Sequence, residues 1–233
     1  MNNYDNDDLI LNTSARVPVC LCLDISGSMR KNNCIDLLQE GINNFYDSIR
    51  NNEQARNSCE IAMLTFNDNV DIVEDFETID KKTVVNSFQP YGGTRLAFGV
   101  DKALEMLENR KQQYKANGID YFQPWLIIIT DGKPGDPEDL PPVYEKVQKL
   151  LKQKKLVTFP LCVGSDANQD KWAAILNVLN GFCIPPKTAL HLKNLKFDEF
   201  FEWLGQSLSI VSQSKTTDNI KLITTGMDEW AEI

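Results

Sequence analysis

Val17-Pro-Val-Cys-Leu-Cys-Leu-Asp-Ile-Ser-Gly-Ser-Met29 opens as an apolar run and stops abruptly at an acid followed by two serines. An unbroken apolar stretch of this length reads as a strand buried on both faces, the signature of a parallel sheet covered by helices. Pro18 falls at the start of the strand, where a missing backbone donor is tolerated. In the polar loop that follows, Asp24, Ser26 and Ser28 occupy every second position, which lets three oxygen-bearing side chains face one point. Gly27 relieves crowding at the turn.

Further along the chain the pattern alternates. Ile35, Leu38, Ile42, Phe45 and Ile49 have helical spacing and predict an amphipathic helix over 35–50. Strands are expected at 59–66 and 70–76, joined by the turn-forming Asn67-Asp68-Asn69. A short helix is expected over 80–88. The loop Gln89-Pro-Tyr-Gly-Gly-Thr then leads into a helix over 95–109. Trp125–Thr130 is the clearest strand and ends at Asp131-Gly132. The next segment, 133–142, holds four prolines and reads as a loop. A helix (143–154), a strand (156–163), a helix (170–180), a short strand (189–192) and a last helix (197–212) follow.

This order predicts one α/β domain, doubly wound, with a mostly parallel central sheet, one antiparallel edge strand and helices on both faces. The domain is expected over 15–213. Residues 1–14 are expected to form a flexible segment, and residues 214–233 a tail packed on the domain through Trp230 and Ile233.

The chain has 233 residues, 24 Lys+Arg and 33 Asp+Glu, for a net charge of −9. That balance gives no general attraction to phosphate backbones or anionic lipid, so neither nucleic acid nor membrane is an expected partner. With 42% hydrophobic residues the composition is that of a globular protein able to build a full core. The cysteines are Cys20, Cys22, Cys34, Cys59, Cys162 and Cys183, with no Cys-x-x-Cys pair. The placement of Cys20, Cys22 and Cys162 in apolar runs predicts reduced, buried thiols, with Cys34 near the loop the candidate for exposure. The first residues carry neither a basic nor an apolar stretch, and a cytoplasmic location is the expectation.

Three polar clusters each follow a strand or open a helix: Asp24-Ile-Ser-Gly-Ser28, Gly92-Gly-Thr94 and Thr130-Asp-Gly132. Ligands of doubly wound sheets bind beyond the carboxyl ends of the strands, where strand order reverses, so the clusters are expected to converge there. The donors would be the carboxylates of Asp24 and Asp131 and the hydroxyls of Ser26, Ser28 and Thr94. An all-oxygen set suits Mg²⁺, Mn²⁺ or Ca²⁺ and disfavours zinc and copper.

These motifs resemble those of the von Willebrand factor A (vWA) domain, with its Asp-x-Ser-x-Ser, remote Thr and Thr-Asp-Gly. The resemblance runs from about Val17 to Ser212 and implies a Rossmann-like vWA fold. More narrowly, the first strand with its loop, the Gly-Gly-Thr-Arg-Leu stretch and Trp230-Ala-Glu-Ile233 resemble bacterial tellurite-resistance vWA proteins of the TerY type. The resemblance implies a metal-ion-dependent adhesion site formed by Asp24, Ser26, Ser28, Thr94 and Asp131. Mg²⁺, or Mn²⁺ or Ca²⁺, would there recruit the Asp or Glu carboxylate of a protein partner. It also implies membership of a stress-response system that includes a phosphatase and a kinase-like protein. Met29, Arg30 and Tyr91, beside the motifs, are expected on the partner-binding rim.

Taken singly, each motif is an ordinary turn or helix cap; together and in this order they favour the metal site. An alternative is a Mg²⁺-dependent phosphohydrolase with Asp24 as nucleophile, although Ser26 stands where such enzymes want a second Asp. A phosphate loop at Gly92-Gly93-Thr94 lacks a following Gly-Lys-Ser/Thr. His191, the one histidine, reads as structural, and no Gly-x-Ser-x-Gly supports a serine hydrolase. Lys146, Lys149, Lys152, Lys154 and Lys155 form a basic stretch that reads as a solvated helix face or a docking face for an acidic partner.

Overall fold

Seven strands form one sheet: β1 (Val17–Asp24), β2 (Cys59–Phe66), β3 (Val70–Thr78), β4 (Trp125–Thr130), β5 (Val157–Val163), β6 (Leu190–Leu192) and β7 (Ala231–Glu232). Their spatial order is β3-β2-β1-β4-β5-β6-β7. The five inner strands run parallel. β3 is the antiparallel edge strand read from the sequence, and β7 adds a two-residue antiparallel pairing at the other edge. The computed structural model describes residues 12, 14–81, 87–164, 169–215, 222 and 226–232.

Side-chain parity on β1 divides the interior into two cores. Val17, Val19, Leu21 and Leu23 point to one face, covered by α1 (Cys34–Arg50), α2 (Glu53–Ser58) and α6 (Phe197–Ser212). Cys20 and Cys22 point to the other, covered by α3 (Leu96–Ala116), α4 (Leu140–Lys152) and α5 (Gln169–Leu179). Every β1, β2 and β4 residue is buried, as strands covered on both sides require. Each Val- or Leu-sized side chain so buried contributes about 1.5–3 kcal/mol before entropy is counted. Trp230, just before β7, packs edge-on against Phe200 and beside Trp203 of α6.

Three elements depart from the sequence reading. α2 has too few apolar residues to show a period; its one local signal is Asn52, whose side chain accepts a hydrogen bond from the Ala55 N–H at 2.9 Å. α4 begins at Leu140 rather than 143 because Pro141 and Pro142 fall in its first turn, where the missing N–H groups would be unpaired anyway. α3 continues to Ala116, a turn or more beyond the expected end at 109. The helix expected over 80–88 lies mostly outside the described residues, which show a short 3₁₀ turn at Ile79–Lys81. Residues 1–11 of the expected flexible segment also lie outside them.

β1 and β4 are neighbours, yet the chain leaves β1 towards β2 on one side and β4 towards β5 on the other. The crevice at their carboxyl ends is the switch point of a doubly wound sheet.

Candidate metal centre

Two strands end at the switch point in register. Leu23 lies opposite Ile129, and one residue further the Thr130 hydroxyl donates to Asp24 Oδ2 at 2.5 Å. The other oxygen, Asp24 Oδ1, accepts the Ser26 N–H at 2.7 Å, closing a turn that aims the serines back across the strand end. Ser26 Oγ and Ser28 Oγ stand 3.0 Å apart. Ser28 Oγ in turn donates to Asp131 Oδ1 at 2.5 Å. Two loops distant in the chain thus share one hydrogen-bonded cluster.

Thr94 arrives from a third loop. Gly27 N–H donates to Gly92 O at 3.1 Å, Tyr91 N–H to Ile25 O at 3.0 Å, and Gly135 N–H to Thr94 O at 2.7 Å, so the loops are stitched by backbone bonds. Gly92 has φ +72°, a left-handed conformation natural to glycine. Asp68, in the β2–β3 turn, holds the adjoining Gly93 N–H at 2.8 Å. In the sequence Asn67-Asp68-Asn69 reads as a hairpin turn alone, and no local signal marks Asp68 as a support of the distant loop.

The small volume at Gly132 measures the convergence. A Cβ placed there would sit 3.0 Å from Thr94 Oγ1, 3.6 Å from Ser28 Oγ and 3.7 Å from Asp24 Oδ2. A glycine therefore leaves open a cradle lined by hydroxyls and a carboxylate. Of the five expected site residues, Asp24, Ser28 and Thr94 meet at this point, and Ser26 and Asp131 join them through hydrogen bonds with Ser28. Among the described residues no three His, Cys, Asp or Glu side chains gather anywhere, so the hydroxyls are indispensable to any cation site here. An all-oxygen donor set fits a hard dication.

Burial has an electrostatic consequence. Asp24 is 0% exposed, and desolvation pushes its carboxyl up to about 7; the bonds from Thr130 and Ser26 pull it back, and the Asp131 charge adds to the rise. Two carboxylates crowded in a dry site favour uptake of a proton or a cation. Lys171 of α5 already leans on this charge, its Nζ 3.6 Å from Asp131 Oδ2. Nothing in its sequence neighbourhood signals that position, because only the fold sets the start of α5 beside the end of β4.

The expected rim is corrected at one position. Arg30 and Tyr91 are exposed, and Arg30 Nη2 donates to Pro90 O at 2.7 Å, tying the first loop to the third. Met29 is fully buried. It lies on the inner side of the 3₁₀ turn at Gly27–Asn33, with Cys34 Sγ 3.7 Å from its sulfur. An apolar side chain on that turn gains more by entering the core than by standing at a polar mouth. Cys34 is likewise buried rather than exposed. His191 is buried and stacks on Trp172 with ring centroids 4.4 Å apart.

Such a cluster at the switch point of a doubly wound sheet defines an α/β binding domain, and the von Willebrand factor type A domain family matches residues 19–195. The chain belongs to that family. Solved structures share its fold at low identity. The vWF domain of the type V pili tip protein Mfa5 from Porphyromonas gingivalis has a TM-score of 0.62 at 12% identity, over 89% of this chain and 99% of that one. The pilus adhesin SpaC from Lactobacillus rhamnosus GG, in an open conformation, has a TM-score of 0.66 at 15% identity over 84% of this chain. This chain spans about 30% of the SpaC chain. Manganese-loaded TRAP protein from Plasmodium vivax has a TM-score of 0.54 at 20% identity, over 80% of this chain and 73% of that one. No curated protein matches the chain in sequence. Among the described residues no helix is long and apolar enough to cross a membrane.

Proposed function

We propose that the protein is a metal-dependent protein-interaction module. Asp24, Ser26, Ser28, Thr94 and Asp131 hold Mg²⁺ or Mn²⁺, with Ca²⁺ the other candidate, and a partner supplies an Asp or Glu carboxylate to the same ion. The observation that carries this reading is the cradle at Gly132, where Thr94 Oγ1, Ser28 Oγ and Asp24 Oδ2 all lie within 4 Å of one point. When bound, the dication supplies a local positive charge that lets a chain of net charge −9 recruit an acidic group. The serine and threonine hydroxyls add no charge of their own, and with Asp24 and Asp131 acting through waters they leave the cation hungry for an anionic ligand. Arg30 and Tyr91 flank the mouth and contact the partner around the carboxylate. The motif resemblance to TerY-type proteins supports a role in a bacterial stress-response system akin to tellurite resistance, inside the cell and alongside a phosphatase and a kinase-like protein.

Phosphohydrolase chemistry at Asp24 is less well supported. Asp24 is fully buried, and the residue two positions on is a serine where such enzymes want a second Asp to act as acid and base.

Calorimetric titration of the purified protein with MgCl₂ and MnCl₂ tests the site. Saturable uptake that disappears in Asp24→Ala and in Thr94→Ala is expected; a wild-type protein that takes up no divalent ion removes the reading. Turnover of a phosphate ester, lost in Asp24→Asn, would instead establish the hydrolase.

A further inference from the structure

At the opposite end of the sheet from the metal centre, α3 and α4 part to leave a cleft of about 890 Å³. Pro124 and Leu156, which immediately precede β4 and β5, lie in its floor with Phe122. The length of β4 puts this floor roughly 20 Å from the switch point. Six lysines and three carboxylates line the cleft in a chain whose overall balance is strongly acidic.

The carboxylates are already neutralised from within. Asp101 pairs with Lys146 at 2.6 Å, Glu105 with Lys102 at 2.9 Å and Glu108 with Lys111 at 2.5 Å. Lys149, Lys154 and Lys155 are exposed, and none has an ion pair among the described residues. Two of them stand on a fixed turn. Lys154 has φ +54°, its carbonyl accepts from Gln123 Nε2 at 2.7 Å, and Lys155 N–H donates to Leu150 O at 2.9 Å. A lysine at a left-handed position, where glycine or asparagine sits with less strain, gives nothing to the turn itself.

We propose that this cleft is a second docking site, separate from the metal centre, for an acidic segment of a partner protein bearing apolar side chains. The unpaired lysines meet the acids, and the Phe122–Pro124–Leu156 floor takes the apolar groups. A uniformly charged nucleic acid fits less well, because the walls keep three carboxylates and the net charge of −9 repels it at long range. The same net charge disfavours a second copy of this chain. Two sites at opposite ends of one rigid sheet make the protein a bridge between two partners, one engaged through a cation and one not.

Fluorescence anisotropy with a labelled peptide of alternating Glu and Leu or Phe tests the proposal. With chelator present, so that no cation can recruit the glutamates, the wild-type chain is expected to bind it, and less as salt rises. Lys149→Glu/Lys154→Glu/Lys155→Glu weakens binding by about tenfold or more, while the triple arginine variant retains it. Should the triple reversal melt early, Lys149→Glu alone is expected to weaken binding about threefold. The chelator keeps this result independent of the metal centre. Equal binding of the Gln counterpart peptide, or indifference to charge reversal, overturns the proposal. It is also overturned by tighter binding of an oligonucleotide at the same lysines, or by self-association that the triple variant abolishes.

Discussion

Asp24 concentrates the chemistry of the site in one side chain. Its carboxyl stands at about 7 in the fold against about 3.9 in an unfolded chain. Between those values the folded protein holds a proton that the unfolded chain has released. The stability of the metal-free protein therefore falls as pH climbs from about 4 to about 7, by up to about 4 kcal/mol, and levels off above. Asp24→Asn removes that slope, and saturating MgCl₂ recovers the loss above pH 7 for wild type alone; chemical denaturation across pH checks both. Gly132 offers a steric counterpart. In Gly132→Ala the new methyl sits 3.0 Å from Thr94 Oγ1 and fills the cradle, so divalent affinity is expected to fall about tenfold or more by calorimetry while the fold persists. The donor residue types were legible in the sequence because hydroxyl and carboxylate chemistry is local. Met29 was not: whether a side chain at a loop boundary faces solvent or core depends on a turn that its neighbours do not specify.

Elements were legible where burial demands a pattern. β1, β2 and β4 are buried along their whole length and read as apolar runs; α1 and α6 carry their stripe at helical spacing. α2 and the start of α4 were not, since a six-residue polar helix and a proline-bearing first turn carry no period. A polar knot also joins elements at the base of the sheet. Glu60 of β2 pairs with Arg16 at 3.0 Å and with Arg110 of α3 at 2.7 Å, and accepts the Tyr114 hydroxyl. Arg16 is fully buried. Glu60→Ala would leave that guanidinium without its carboxylate in a dry interior and is expected to cost about 3–5 kcal/mol, read from urea denaturation. A double variant with Arg16→Met recovers part of the loss.

Across the whole molecule, the two-sided core explains the cysteines. All six are buried and unbridged, and burial raises their thiols, Cys183 to about 11 and Cys162 to about 12. A thiol reagent at neutral pH is expected to react slowly with the native protein and to count six thiols once it is unfolded. By itself the sequence determined the class of fold and which donor residues stand at the strand ends. Alternation of buried strands with amphipathic helices admits few topologies, and donor chemistry resides in residue types. Only the tertiary structure decided which loops meet, that Asp68 props the Gly92–Gly93 turn, and that Lys171 reaches Asp131. It alone also opened a basic cleft between α3 and α4. Those contacts join residues tens of positions apart, and their distances follow from how helices seat on a sheet, a sum over the entire core that no local stretch of chain encodes.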